Sequence, residues 1–90
     1  MTPLDEARGE PLTVGGEVVE VWEKGDRLFA RLRDDSGEGI LVLEGSDRLA
    51  ARISGLRPGR RVLLIGVSVS ESRGTRWIRL GKWGMIRFTD

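Results

Sequence analysis

Five residue types are missing from this chain: cysteine, histidine, tyrosine, asparagine and glutamine. Without cysteine there are no disulfides and no thiolate metal sites. Without histidine as well, the common nucleophile–base arrangements are unavailable, so the chain is expected to be no enzyme and to hold no metal or cofactor. Lysine is almost absent, with Lys24 and Lys82 the only two; the other thirteen cations are arginine. A lack of amides and cysteine is what a thermophile would show, and a GC-rich genome would give the same bias. No apolar run approaches the length of a membrane span. The stretch Met1 to Glu10 is acidic and polar, with no apolar signal core, so a cytoplasmic location is expected.

Ninety residues make one domain with a small core. The net charge of +1 conceals a division: residues 1–50 carry six basic and twelve acidic side chains, residues 51–90 nine basic and two acidic. Such asymmetry points to a polyanion partner on one face, unless the halves interleave in space and cancel.

Residues 1–11 are polar and hold two of the three prolines, and read as a flexible arm; residues 12–90 read as the folded domain. Leu12 to Glu23 has a strand pattern, interrupted by Gly15-Gly16, where a bulge or sharp bend is expected. "EKGD" (Glu23 to Asp26) marks a hairpin turn. In the second strand Leu28, Ala30 and Leu32 alternate with Phe29, Arg31 and Arg33. "DDSG" (Asp34 to Gly37) is a second turn, and Gly39 to Glu44 a third strand. Ser46 is placed to cap a short helix, with Asp47 in its first turn, Leu49 and Ile53 on its buried face and Gly55 as its stop. Arg61 to Ser70 and Thr75 to Leu80 complete five strands, and Trp83 to Phe88 extends the last beyond a kink at Gly81 or Gly84. A bent first strand, a meander, a helix and a hairpin are the order of the OB-fold barrel: all-β, five strands, one short helix between strands three and four. An SH3-like barrel is the structural competitor.

"DDSGEGILVLEG" (Asp34 to Gly45) resembles the acidic turn and third strand of the archaeal single-stranded-DNA-binding proteins and the replication protein A family. "LRPGRRVLLIGVSVSESRGTRWIRLGKWGMI" (Leu56 to Ile86) resembles that family's second half. Together the segments span about residues 12–88. A tRNA-anticodon-binding OB domain shares the "RLRDDSG" piece. The resemblance implies a module that binds single-stranded DNA in replication or repair. It also exposes departures: where the family stacks bases on aromatics, this chain has Glu44, Ser68 and Ser72.

The residues themselves support a strand-binding groove, which needs cations spaced along an extended backbone and flat side chains for bases. Phe29, Arg31 and Arg33 share one face of strand two; Trp77 and Arg79 share one face of strand five; Arg73 and Arg76 bracket the loop before it, and Lys82 and Trp83 follow it. The arginines are candidates for phosphate contacts with Lys82, and Phe29, Trp77 and Trp83 for stacking. Trp22 is expected to cap the barrel instead, and the strand-two arginines have Glu17 and Glu20 as alternative partners across the sheet. The aspartates of "DDSG" are turn formers rather than a metal or acid–base pair. "GTRWIRLGK" lacks the spacing of a phosphate loop.

The third strand is apolar on both faces. With Leu41, Leu43, Val62 and Leu64 inward, Ile40, Val42, Leu63 and Ile65 form a candidate outer strip that something must cover: the arm, another protein chain, or unstacked bases. The competing function is therefore an OB-fold interaction or oligomerisation subunit, homo- or hetero-oligomeric through that strip. RNA stands beside DNA as a partner, because nothing in the sequence marks a 2′-hydroxyl contact.

Overall fold

The computed structural model describes all 90 residues. One 3-10 turn (Leu4–Glu6) precedes β1 (Gly9–Lys24), β2 (Arg27–Arg33), β3 (Glu38–Leu43), α1 (Gly45–Ile53), β4 (Arg61–Ser72) and β5 (Thr75–Phe88). The strands close into a barrel in the order β1-β2-β3-β5-β4. All pairs are antiparallel except β3 with β5. No helix is long and apolar enough to cross a membrane.

The first strand serves two neighbours. Its early part pairs with β4 and its later part with β2, and Glu17 lies opposite both Arg61 and Arg33. The expected bend is at the paired glycines. A Cβ on Gly16 would stand 2.6 Å from the Arg33 carbonyl oxygen, so only glycine lets the two backbones approach there. A register shift between Val18 and Glu20 adds a bulge just beyond.

Strand alternation builds the core as expected. Leu28, Ala30 and Leu32 of β2, Leu41 and Leu43 of β3, Val62 and Leu64 of β4 and Ile78 of β5 are buried. Beyond Gly66, at φ +72°, the inward positions of β4 change parity, to Val67 and Val69.

The N-terminal segment departs from expectation. Residues 1–11 are not a loose arm: Leu4 and Ala7 are buried in the core, and β1 already begins at Gly9. The Leu4 N–H donates to Asp34 Oδ2 at 2.9 Å, the Asp5 N–H to Ser36 Oγ at 3.1 Å, and the Arg76 guanidinium to the Asp5 carbonyl. Three apolar residues in eleven, Met1, Leu4 and Ala7, look too few to hold a segment. The turn acceptors that catch its backbone lie thirty residues away in sequence, where local patterning gives no sign of them.

The helix is present, but rotated from its expected phase. It starts at Gly45 with no side-chain cap, so Ser46 is not the N-cap. Leu49 and Ile53, expected in the core, are 58% and 79% exposed; Ala51 and Leu56 are buried in their place. The helix ending sets this phase. Gly55 sits at φ +80°, its N–H bonds the Arg52 carbonyl, and the Leu56 N–H reaches back to Ala51. This Schellman closure brings Leu56 against Ala51, and that pair, rather than the larger Leu49 and Ile53, faces the barrel.

Candidate functional site

The outer face of β2, β3 and β5 is fixed by register. One row across it reads Arg31, Ile40, Trp77, Ser70; the next reads Phe29, Val42, Arg79, Ser68. Side chains in these rows point away from the core because their neighbours along each strand point in. The turn between β1 and β2 stands over the second row. Together they enclose a cleft of about 520 Å³, with Lys24, Gly25, Asp26 and Arg27 on the turn side and Phe29, Val42, Trp77 and Arg79 on the sheet side.

The aromatic rings of this face are in contact. Trp22 and Phe29 stack with centroids 5.4 Å apart and planes 11° apart, and Phe29 meets Trp77 edge-on at 6.4 Å. The Arg31 guanidinium lies 5.7 Å from the Trp22 ring centroid. Trp22 is thus part of the outer aromatic row, not a cap on the barrel.

The cations divide by what already holds them. Arg31 is bracketed by Glu20 at 3.2 Å and Glu38 at 3.6 Å. Arg27 faces Glu44 at 3.6 Å. Arg76 is turned to the N-terminal segment and Glu71, the latter at 3.5 Å, so it ties the fold together. Arg33 lies at the far end of β2 and lines a separate cleft of about 270 Å³ with Asp34, Asp35 and Arg61, where charge is mixed. Arg73 is exposed in the β4–β5 turn at φ +53°. Lys24 and Arg79 make no ion pair and border the aromatic cleft. Lys82 and Trp83 stand on a protrusion of β5 beyond it.

Of the residues singled out in the sequence, the structure brings Phe29, Trp77 and Arg79 into one cleft, with Arg31 in the adjacent row of the sheet. Arg33, Arg73 and Arg76 lie elsewhere. Trp22, Lys24 and Arg27 belong to the cleft region and were not singled out for it. A signal for Trp22 was present: a two-residue turn at Gly25-Asp26 places Lys24 opposite Arg27, and the same register puts Trp22 opposite Phe29.

The expected apolar strip is not one patch. Ile40 and Val42 are buried, flanked on the sheet by Arg31 and Trp77 and by Phe29 and Arg79. Leu63 and Ile65 lie opposite Arg87 and Met85, at the distal part of β5. Strand β5 separates β3 from β4, so sequence alternation alone could not show that the two pairs are apart.

No family model matches the chain. In sequence it is similar to the lysylphosphatidylglycerol biosynthesis bifunctional protein LysX of Mycobacterium avium, 32% identical over 87 residues, and equally to that of Mycolicibacterium paratuberculosis. The match takes in 92% of this chain and 7% of those proteins, so the chain spans a small fraction of their length. In structure it is similar to the replication factor A related protein of Methanobacterium thermoautotrophicum, with a TM-score of 0.83 at 16% identity, covering all of this chain and 91% of the other. An OB domain from Methanosarcina mazei matches with a TM-score of 0.70 at 20% identity, over 93% of this chain and 76% of that one. The barrel is an OB fold. A third likeness, at a TM-score of 0.80 and 11% identity over 99% and 86% of the two chains, is to Schizosaccharomyces pombe Pot1pC bound to single-stranded DNA. At these identities the structural likenesses speak to architecture alone. In OB folds that bind oligonucleotides, the faces of strands two and three and the loops beside them form the usual binding surface, and the aromatic cleft of this chain lies there.

Proposed function

We propose that this chain is a nucleic-acid-binding module without catalysis, which holds an unpaired strand across β2, β3 and β5. The observation that carries the proposal is the cleft in which the free cations Lys24 and Arg79 flank Phe29 and Trp77. Cations for phosphates and flat rings for bases are the two requirements of single-strand binding, and neither reads sequence. Single-stranded DNA is the partner that the resemblance implies, with a role in replication or repair. The Pot1pC likeness, solved with single-stranded DNA, supports the choice.

Affinity is modest in this account. Glu44 stands where the family has a stacking ring, and Ser68 and Ser70 end the two rows where a larger side chain would add contact. The alternative role as an interaction subunit loses the continuous strip on which it rested.

The test is a tryptophan-fluorescence titration with homopyrimidine DNA and RNA strands at low salt, where electrostatic attraction is strongest. Saturable quenching by a single strand, weakened in Phe29→Ala, is the expected result. Absence of binding to either nucleic acid would remove the proposal.

A further inference from the structure

Between Ile65 and Val67 of β4 lies one residue, Gly66, whereas between their partners Met85 and Leu80 on β5 lie Gly81, Lys82, Trp83 and Gly84. The surplus residues have no counterpart on β4, so this part of β5 arches off the barrel. Glycine is required at each foot. A Cβ on Gly81 would stand 2.8 Å from the Gly66 carbonyl oxygen, and one on Gly84 would stand 2.9 Å from the Gly81 nitrogen and 3.0 Å from that same oxygen. Gly66 itself adopts φ +72°. Three glycines are thus given to a feature whose crest displays one indole, Trp83, at 85% exposure, with Lys82 Nζ 5.5 Å from its ring centroid. Nothing in the core needs that indole.

The arch is placed for a use. The last pair between β3 and β5 is Val42 with Arg79, at the sheet side of the cleft. The arch begins two residues further along β5, past the end of β3. The cations leading to and along it, Arg79 and then Lys82, complement a polyanion leaving the cleft. Glu44, also at the end of β3, is already faced by Arg27.

We propose that the Gly81–Gly84 arch is a second stacking post. It takes a base of the same unpaired strand after that strand leaves the cleft, with Arg79 and Lys82 on the phosphates between. The inference rests on the nucleic-acid reading of the cleft and adds that the site has two separate parts, so that strand length sets affinity.

The test compares fluorescently labelled oligothymidylates of about 3, 6 and 12 nucleotides, within and below the range of one OB barrel. Anisotropy titrations are run on wild type, Trp83→Ala and Phe29→Ala. Trp83→Ala is expected to weaken the longest strand about 5- to 150-fold, the worth of one stacked base, and to leave the shortest unchanged. Trp83→Phe should restore most of the loss. Phe29→Ala should weaken all lengths. In a protein with Trp22→Phe and Trp77→Phe, the remaining indole should be quenched by the long strand and not by the short one. If Trp83→Ala matches wild type at every length while Phe29→Ala weakens binding, the arch makes no strand contact: the cleft stands and the second post is overturned, leaving the arch to face a protein. An equal loss at all lengths overturns it too, because the arch would then belong to a single site. If wild type binds no strand, the cleft reading itself falls.

Discussion

Trp22 and Phe29 stack face to face across the β1–β2 hairpin, 5.4 Å between centroids. The pair braces one side of the cleft, since Phe29 in turn meets the edge of Trp77. A ring held on one side by another ring is preorganised, which lowers the ordering cost of binding. Phe29→Ala should therefore weaken single-strand binding by about 1–3 kcal/mol with little change in salt dependence. It should also alter the Trp22 emission in the free protein. Parallel titrations at two salt concentrations check both.

The free cation and the paired ones should behave differently. Arg79 has no carboxylate to satisfy it, so Arg79→Ala should flatten the plot of log affinity against log salt by about 0.7, the single-strand value for one phosphate contact. Arg31 is shared between Glu20 and Glu38, and Arg31→Ala should flatten it less. Arg76→Ala should leave the slope unchanged and lower thermal stability, because that guanidinium holds the N-terminal segment.

Glu44 lies at the end of β3 beside the cleft, where a base or a phosphate would meet a carboxylate. Glu44→Trp should strengthen binding by about 1 kcal/mol or more, by adding a stacking surface and freeing Arg27. Unchanged affinity in that variant would place the strand's path away from β3.

Leu4 and Ile53 reverse the order that hydrophobicity alone would give. Leu4→Ala should cost about 2–4 kcal/mol, as for other buried leucines. Ile53→Ala, on an exposed helix face, should stay within about 0.5 kcal/mol of wild type. Urea denaturation measures the two side by side.

Burial alone would raise the Asp34 pKa, but hydrogen bonds from Ser36 and from the backbone N–H groups of Leu4, Ser36 and Gly37 outweigh it and hold the carboxyl below its ordinary range. A folded-state pKa below the unfolded one means stability that is present above the ordinary carboxylate range and lost as pH falls through the lower folded value. Asp34→Asn should thus be less stable at neutral pH and lose less on acidification. Thermal melts of both proteins at neutral pH and near pH 3 check that the gap narrows.

The sequence by itself determined the barrel. Period-two alternation in β2 and in the Val67–Ser70 part of β4 follows from the pleat, short apolar runs between turn residues mark the other strands, and the turns set the order of elements, so a five-strand barrel with one helix was legible in the sequence. The contact of Trp22 with Phe29 depends on the turn being Gly25-Asp26 alone; with the turn taken as the whole of "EKGD", Trp22 reads as a barrel cap. Tertiary structure alone decided what depends on neighbours distant in sequence. Strand β5 inserts between β3 and β4, which divides the expected apolar strip and brings Trp77 and Arg79 beside Val42. Asp34, Ser36 and Arg76 hold a segment whose own composition would leave it loose. The closure at Gly55 turns Leu56 inward and Leu49 and Ile53 out. In each case the competing arrangements have similar local patterns, and the choice between them is made by hydrogen bonds and packing formed only when the barrel closes.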